Sequence, residues 1–257
     1  MVRIILTPLL VISFIFKGFA QFSPPGLGEA HTASWFALGL KQPLNKSGTL
    51  SSKTYLGLGR ISTPDRYNGF EKPAIYVFNE EVTHRFHKNW SYAGAISYRW
   101  QYQYNSTPPY AQSSPDARQE LRAYSRFSYH NSVGKFNYGL SFRPELRFFY
   151  NPDFSPYSKN TQFRSRLRAK ASFFLNSSKT QQFITTAEVL YATTKTDQWS
   201  TFKYQDTRFC FYYSVALSQP KLVLNVGYMT DLIGTTSLTD VHYIAFDMLL
   251  INPFKRK

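Results

Sequence analysis

Long stretches of this chain alternate between two kinds of side chain, and that period of two limits them to β-strands with unlike faces. Trp90 to Gln103 is the clearest case. Its even positions are Trp90, Tyr92, Gly94, Ile96, Tyr98, Trp100 and Tyr102, against Ser91, Ala93, Ala95, Ser97, Arg99, Gln101 and Gln103. One face is large and aromatic; the other is small or polar. Between Lys135 and Phe149, Phe136, Tyr138, Leu140, Phe142, Leu146 and Phe148 oppose Asn137, Gly139, Ser141, Arg143, Glu145 and Arg147. Further on, Phe163, Leu167, Ala169, Ala171 and Phe173 oppose Arg164, Arg166, Arg168 and Lys170.

Eleven such segments follow one another, at about 33–42, 50–62, 73–86, 89–104, 118–130, 135–149, 161–176, 181–193, 202–217, 221–232 and 240–252. Most are far longer than the five or six residues, roughly, of a strand in a soluble sheet. A tilted membrane strand needs about 9–11 residues in lipid, with extensions on either side. Soluble sandwiches and small barrels also alternate, but they turn the apolar face inward. Their other face would not carry arginine-rich rows over so many strands. The pattern predicts an all-β fold, an antiparallel up-and-down transmembrane β-barrel of 10–12 strands.

Composition agrees. A mean hydropathy of −0.35 is too polar for a bundle of membrane helices, while 18% aromatic residues is too many for a disordered chain. The single cysteine, Cys210, excludes a disulfide framework and a cysteine-based zinc site. The formal charge of +15 raises the question of nucleic acid. Here the basic residues sit at alternate strand positions rather than in a helix or a run, so no nucleic-acid partner is expected.

Met1 to Ala20 reads as a secretory signal peptide: Arg3 ahead of an apolar run from Ile4 to Phe16, then Gly18-Phe19-Ala20 as a small-residue cleavage site. The mature domain is expected to span 21–257. The run is shorter than the roughly 20 residues of a membrane helix. A secreted chain that enters a membrane without apolar helices must do so as a closed barrel. This places the protein in the outer membrane of a Gram-negative bacterium, with outer-membrane lipids and the barrel-insertion machinery as partners.

The connections alternate between short, near 87–88, 131–134, 177–180 and 218–220, and long, at 63–72, 105–117, 150–160, 194–201 and 233–239. Short periplasmic turns and long external loops are the outer-membrane pattern. Counting back from the last strand uses ten strands and leaves the segment around Trp35 running inward from the cell surface. Either Gln21 to His31 adds a crossing, giving twelve strands, or the Trp35 segment is not a regular wall strand.

The polar faces from Arg118 onward hold twelve basic and six acidic residues. The candidate lumenal network is Glu120, Arg122, Arg126, Arg143, Glu145, Arg147, Arg164, Arg166, Arg168, Lys170, Glu188, Asp206 and Arg208. If Val133-Gly134 forms the hairpin tip, Arg122 faces Glu145 and Glu120 faces Arg147. A slip by two residues, opposing Arg122 to Arg143, would set like charges against each other. Charge reversal at Arg122 should then weaken the barrel, and reversal at Glu145 should partly restore it.

The order of several short stretches resembles a family of Gram-negative outer-membrane barrels catalogued as domain of unknown function 2490. After Trp35 come Gln119-Glu120-Leu121-Arg122, Phe142-Arg143-Pro144-Glu145-Leu146-Arg147, Arg164-Ser165-Arg166-Leu167-Arg168, Ala187-Glu188-Val189, Thr207-Arg208-Phe209 and Val226-Gly227-Tyr228-Met229. The resemblance implies location and fold, and no activity.

Two roles for the charged face follow from the residues. Paired side chains fill a narrow barrel, or a basic row from Arg164 to Lys170 lines an anion-preferring pore. A lipid-modifying enzyme is the third alternative. Ser128 and His130 share a face but lie beside a short turn, away from an external active site, and His84 and His87, three apart on a strand, point to opposite faces. No catalytic, cofactor-binding or metal-binding residue is assigned.

Overall fold

The computed structural model describes residues 24–27, 30–219, 221–234 and 239–254. Among these residues eleven strands form one closed sheet: β1 (Thr32–Pro43), β2 (Leu50–Ile61), β3 (Lys72–His84), β4 (Trp90–Tyr104), β5 (Gln112–Val133), β6 (Phe136–Tyr150), β7 (Pro156–Phe174), β8 (Gln181–Lys195), β9 (Lys203–Leu217), β10 (Leu222–Ile233) and β11 (Thr239–Ile251). Neighbours in sequence pair antiparallel, and β1 closes the ring by running parallel to β11, Thr32 beside His242 through Lys41 beside Ile251. A closed sheet leaves no edge strand unpaired.

The barrel is antiparallel as expected, with a strand number inside the expected 10–12, and the one parallel pairing at its seam answers the parity question. The Trp35 segment is a regular wall strand. The described residues before it form no twelfth strand: Pro24, Pro25, Leu27 and Ala30 are buried and irregular. The Leu27 N–H donates to the Tyr243 hydroxyl at 3.1 Å. A Cβ on Gly26 would stand 2.7 Å from Arg208 Nη2, and one on Gly59 would stand 2.9 Å from Leu27. The partners face the lumen, so this short segment lies inside the barrel. The expected leader, Met1 to Ala20, lies outside the described residues.

Two strands outrun their expected limits. β5 begins at Gln112 rather than 118, and β7 at Pro156 rather than 161. Their Pro- and Ser-rich starts read as loop, yet each pairs with its neighbour beyond a bulge, as far as Tyr104 beside Gln112 and Tyr150 beside Pro156. Bulges absorb the irregularity that prolines bring to a strand.

The wall is inverted relative to a soluble barrel. Leu56, Ile96, Phe127, Leu140, Leu167 and Ile244 point outward and are each more than half exposed, while Glu120, Arg122, Glu145 and Arg208 point inward and are almost fully buried. Aromatic contacts gather at both ends of the outer wall. Trp90 lies against Tyr129 and Phe86 against Tyr92 near the short turns; Tyr76 lies against Tyr102 and Tyr191 against Phe202 near the long loops.

The lumen divides into two unlike halves. The strands around the parallel seam contribute Trp35, Tyr55, Tyr212, Tyr243, Met229 and Leu249 to an apolar cluster. Small residues make room for the rings: a Cβ on Gly57 would fall 2.4 Å from the Trp35 indole, and one on Gly227 would fall 2.2 Å from the Tyr212 ring. The other half, on β4 to β9, is charged.

Outside the barrel, the loop after β2 straps the start of β1. The Ser62 hydroxyl accepts from the backbone N–H groups of His31 and Thr32, and the Ser34 hydroxyl donates to the Gly69 carbonyl at 2.9 Å. Glycine at position 69 allows this close approach: a Cβ there would stand 3.2 Å from the Ala33 backbone.

Candidate functional site

Alternation places the charged residues of neighbouring strands on one inner face, and register decides which of them meet. The β5–β6 turn is Gly134-Lys135, with Gly134 at φ +61°, which suits glycine at the first position of a two-residue hairpin turn. That turn sets Arg122 opposite Arg147 and Tyr124 opposite Glu145. The expected direct pairs of Arg122 with Glu145 and Glu120 with Arg147 are therefore displaced by two residues. The two contacts form nevertheless, diagonally, at 3.1 and 2.8 Å. Long guanidinium stems span a diagonal step that a cross-strand Coulomb argument treats as a mismatch.

Arg147, Glu120, Arg122, Glu145, Arg166, Glu188, Arg208 and Asp231 form a continuous chain of ion pairs across six strands. The links measure 2.8, 2.6, 3.1, 2.9, 3.1, 4.0 and 3.2 Å in that order. Arg143 joins at Glu145, Arg168 at Glu188 and Asp206 at Arg208. Glu145 is the hub, holding three guanidiniums with a side chain that is 0% exposed. With three arginines around one carboxylate, a swap of Arg122 and Glu145 would set an arginine against Arg143 and Arg166. The simple rescue is no longer expected.

Three residues of the expected network stand apart from the web. Arg126 pairs with Glu81 on β3 at 2.9 Å, where the Tyr124 hydroxyl also donates to Glu81 at 3.0 Å. Lys170 lies on the inward face near the short-turn end, opposite Gly139 and Thr186. Arg164 also points inward; directly opposite it stands Glu145, which is already shared three ways. Lys53, Glu81 and Arg99 are lumenal charges that the sequence reading left out. The same alternation that selects Arg122 would have found them on β2, β3 and β4.

Asp247 is different in kind. It is buried among the aromatic rings of the seam, opposite Asn225 and Ala37, with the Trp35 indole as its polar neighbour. No arginine or lysine forms an ion pair with it among the described residues. Asp247→Asn should therefore stabilise the barrel, or leave it unchanged, by removing a buried acid that no cation offsets; the gain is on the order of 1–3 kcal/mol. Urea midpoints of the refolded proteins check this, and a clear loss of stability would assign Asp247 a partner in the fold.

Among the described residues no three His, Cys, Asp or Glu side chains are grouped as metal ligands. Ser128 and His130 both face inward at the short-turn end of β5, and no hydrogen bond joins them among the described residues. Cys210 is buried.

A family model described as "Protein of unknown function (DUF2490)" matches residues 32–242, from the first strand into the last. No curated protein matches the chain.

Proposed function

The chain belongs to the family described as Protein of unknown function (DUF2490), and from that membership and its inverted barrel we propose that it is a sealed, non-catalytic outer-membrane β-barrel with a structural role. The apolar outer wall and the aromatic contacts at both of its ends support residence in a bilayer, where aromatic girdles sit at the interfaces. A shallow apolar hollow of about 530 Å³ on the outer wall, bounded by Phe36, Leu38, Leu56, Leu58, Phe78 and Met248, suits acyl chains. Outer-membrane lipids and the barrel-insertion machinery are the partners of this reading.

The observation that carries the sealed state is the ion-pair chain. Its Arg122, Glu145, Arg166, Glu188 and Arg208 side chains are each 5% exposed or less, so they meet one another rather than a water column. The seam half is filled by Trp35, Tyr55, Tyr212 and Tyr243 and by the segment around Leu27. A conducting pore needs a hydrated path past side chains that bind an ion weakly enough to release it. Here Arg166 and Arg168, at the middle of the row that would line such a path, are held by carboxylates.

Refolded, heat-modifiable protein in a planar bilayer under a salt gradient should give no stable conductance steps. Regular steps with an anion-selective reversal potential would replace the sealed reading with the pore. Hydrolysis or transfer of a lipid acyl chain by the folded protein, lost in a Ser128→Ala or His130→Ala variant that still folds, would replace it with the enzyme.

A further inference from the structure

A buried lysine without a partner can shed its proton, but an arginine in a protein cannot, and so it requires an anion. The ion-pair web meets that need for Arg122, Arg143, Arg166, Arg168 and Arg208. At the edge of the web nearer the long loops it is not met. Arg99 on β4 and Arg164 on β7 form no ion pair within 4 Å among the described residues, and the Nε of each is buried without a hydrogen-bond partner. Arg99 is only 7% exposed.

Two further guanidiniums stand between them. Arg118 on β5 and Arg147 on β6 lie over the Phe149 ring, 5.0 and 4.8 Å from its centroid. Arg118 donates to Gln101 at 2.9 Å, and Arg147 donates to Gln162. The carboxylate directly opposite Arg99 is Glu120, and the one directly opposite Arg164 is Glu145. Glu120 is already held by Arg122 and Arg147, and Glu145 by Arg122, Arg143 and Arg166. Of these four inward guanidiniums on four adjacent strands, only Arg147 pairs with a carboxylate, Glu120, which it shares with Arg122.

We propose that this face of the lumen binds a small soluble oxyanion of the phosphate class, held by Arg99, Arg118, Arg147 and Arg164. Planar guanidinium forks match the oxygens of such an anion in pairs, which a spherical chloride cannot exploit. The outer two strands are three spacings apart, about 14 Å; extended arginines leaning inward from a curved wall close that interval. The four residues face the interior, so the wall separates them from lipid headgroups and the anion enters from water at the long-loop mouth. The site does not depend on the membrane in which the barrel resides, or on whether it conducts.

The test uses the full mature chain refolded in a maltoside detergent and phosphate-free buffer. Calorimetric titration with inorganic phosphate is compared with chloride at matched ionic strength, and thermal unfolding is followed by the gel shift of the folded barrel. Phosphate should bind saturably and raise the unfolding midpoint, and chloride should do neither. Arg99→Gln and Arg164→Gln each remove a charge that no carboxylate holds, so both should fold while losing about tenfold or more in phosphate affinity. Lys170→Gln, at the other end of the lumen, should bind as the native protein does. No saturable binding by the native barrel, or binding unchanged in both arginine variants, overturns the proposal. A response seen only with micelles of an anionic phospholipid would move the anion to a lipid headgroup and overturn the soluble site.

Discussion

Glu145→Ala should unfold the barrel or bring it close to unfolding. Removing one partner of a buried pair costs about 3–5 kcal/mol, because the other charge is left desolvated. Glu145 has three partners, Arg122, Arg143 and Arg166, at 3.1, 2.6 and 2.9 Å. Its loss leaves Arg143 facing Arg166 directly across β6 and β7 with no carboxylate between them. The measurement is the fraction of refolded, heat-modifiable protein and its urea midpoint. Glu145→Gln, which keeps the shape and one acceptor, should fall between alanine and the native residue. A loss below about 1 kcal/mol for alanine would mean that water reaches these arginines, and the sealed lumen would fail with it. The double swap Arg122→Glu with Glu145→Arg should be no more stable than either single reversal, since the web has no isolated pair to exchange.

The second large effect lies on the opposite wall. Trp35 is fully buried against Gly57, where a Cβ would stand 2.4 Å from the indole. Real Cβ atoms do not approach that closely, so Gly57→Ala must displace a ring that has nowhere to go; overpacking of this kind costs about 1–3 kcal/mol or more. Trp35→Ala alone should cost about 3–5 kcal/mol through the cavity it opens. The two losses should not add. With the indole gone, the methyl at position 57 enters the space it vacated, and the double variant should recover on the order of 1–3 kcal/mol relative to the sum. Strict additivity of the unfolding free energies would show that the two residues do not share that space.

How much of this was legible in the sequence differs between elements. β4 and β6 were legible almost to the residue because their faces differ sharply, aromatic against polar, and each begins at a short turn. The starts of β5 and β7 were not, because a strand that runs past a bulge carries prolines and serines that local rules assign to loops. The inward direction of Arg122, Glu145, Arg166 and Glu188 followed from alternation alone. Their partners did not: the Gly134-Lys135 turn moved the β5–β6 register by two residues, a step that preserves every inside–outside assignment while changing every cross-strand neighbour. Arg99 and Arg164 could be placed on the inner face by the same rule, but not their isolation from carboxylate, which depends on how Glu120 and Glu145 are shared.

By itself, the sequence determined that this chain is built of long two-faced strands, that large apolar side chains cover one face and arginines the other, and that the strands number close to eleven. Those are consequences of local periodicity, which a pleated backbone converts directly into sides of a sheet. Tertiary structure alone decided how the sheet closes. The parallel seam of β1 with β11, the segment around Leu27 inside the lumen and the web centred on Glu145 all join residues far apart in the chain. Such contacts depend on the radius of the closed ring and on the register carried around it, and no window of neighbouring residues contains either quantity.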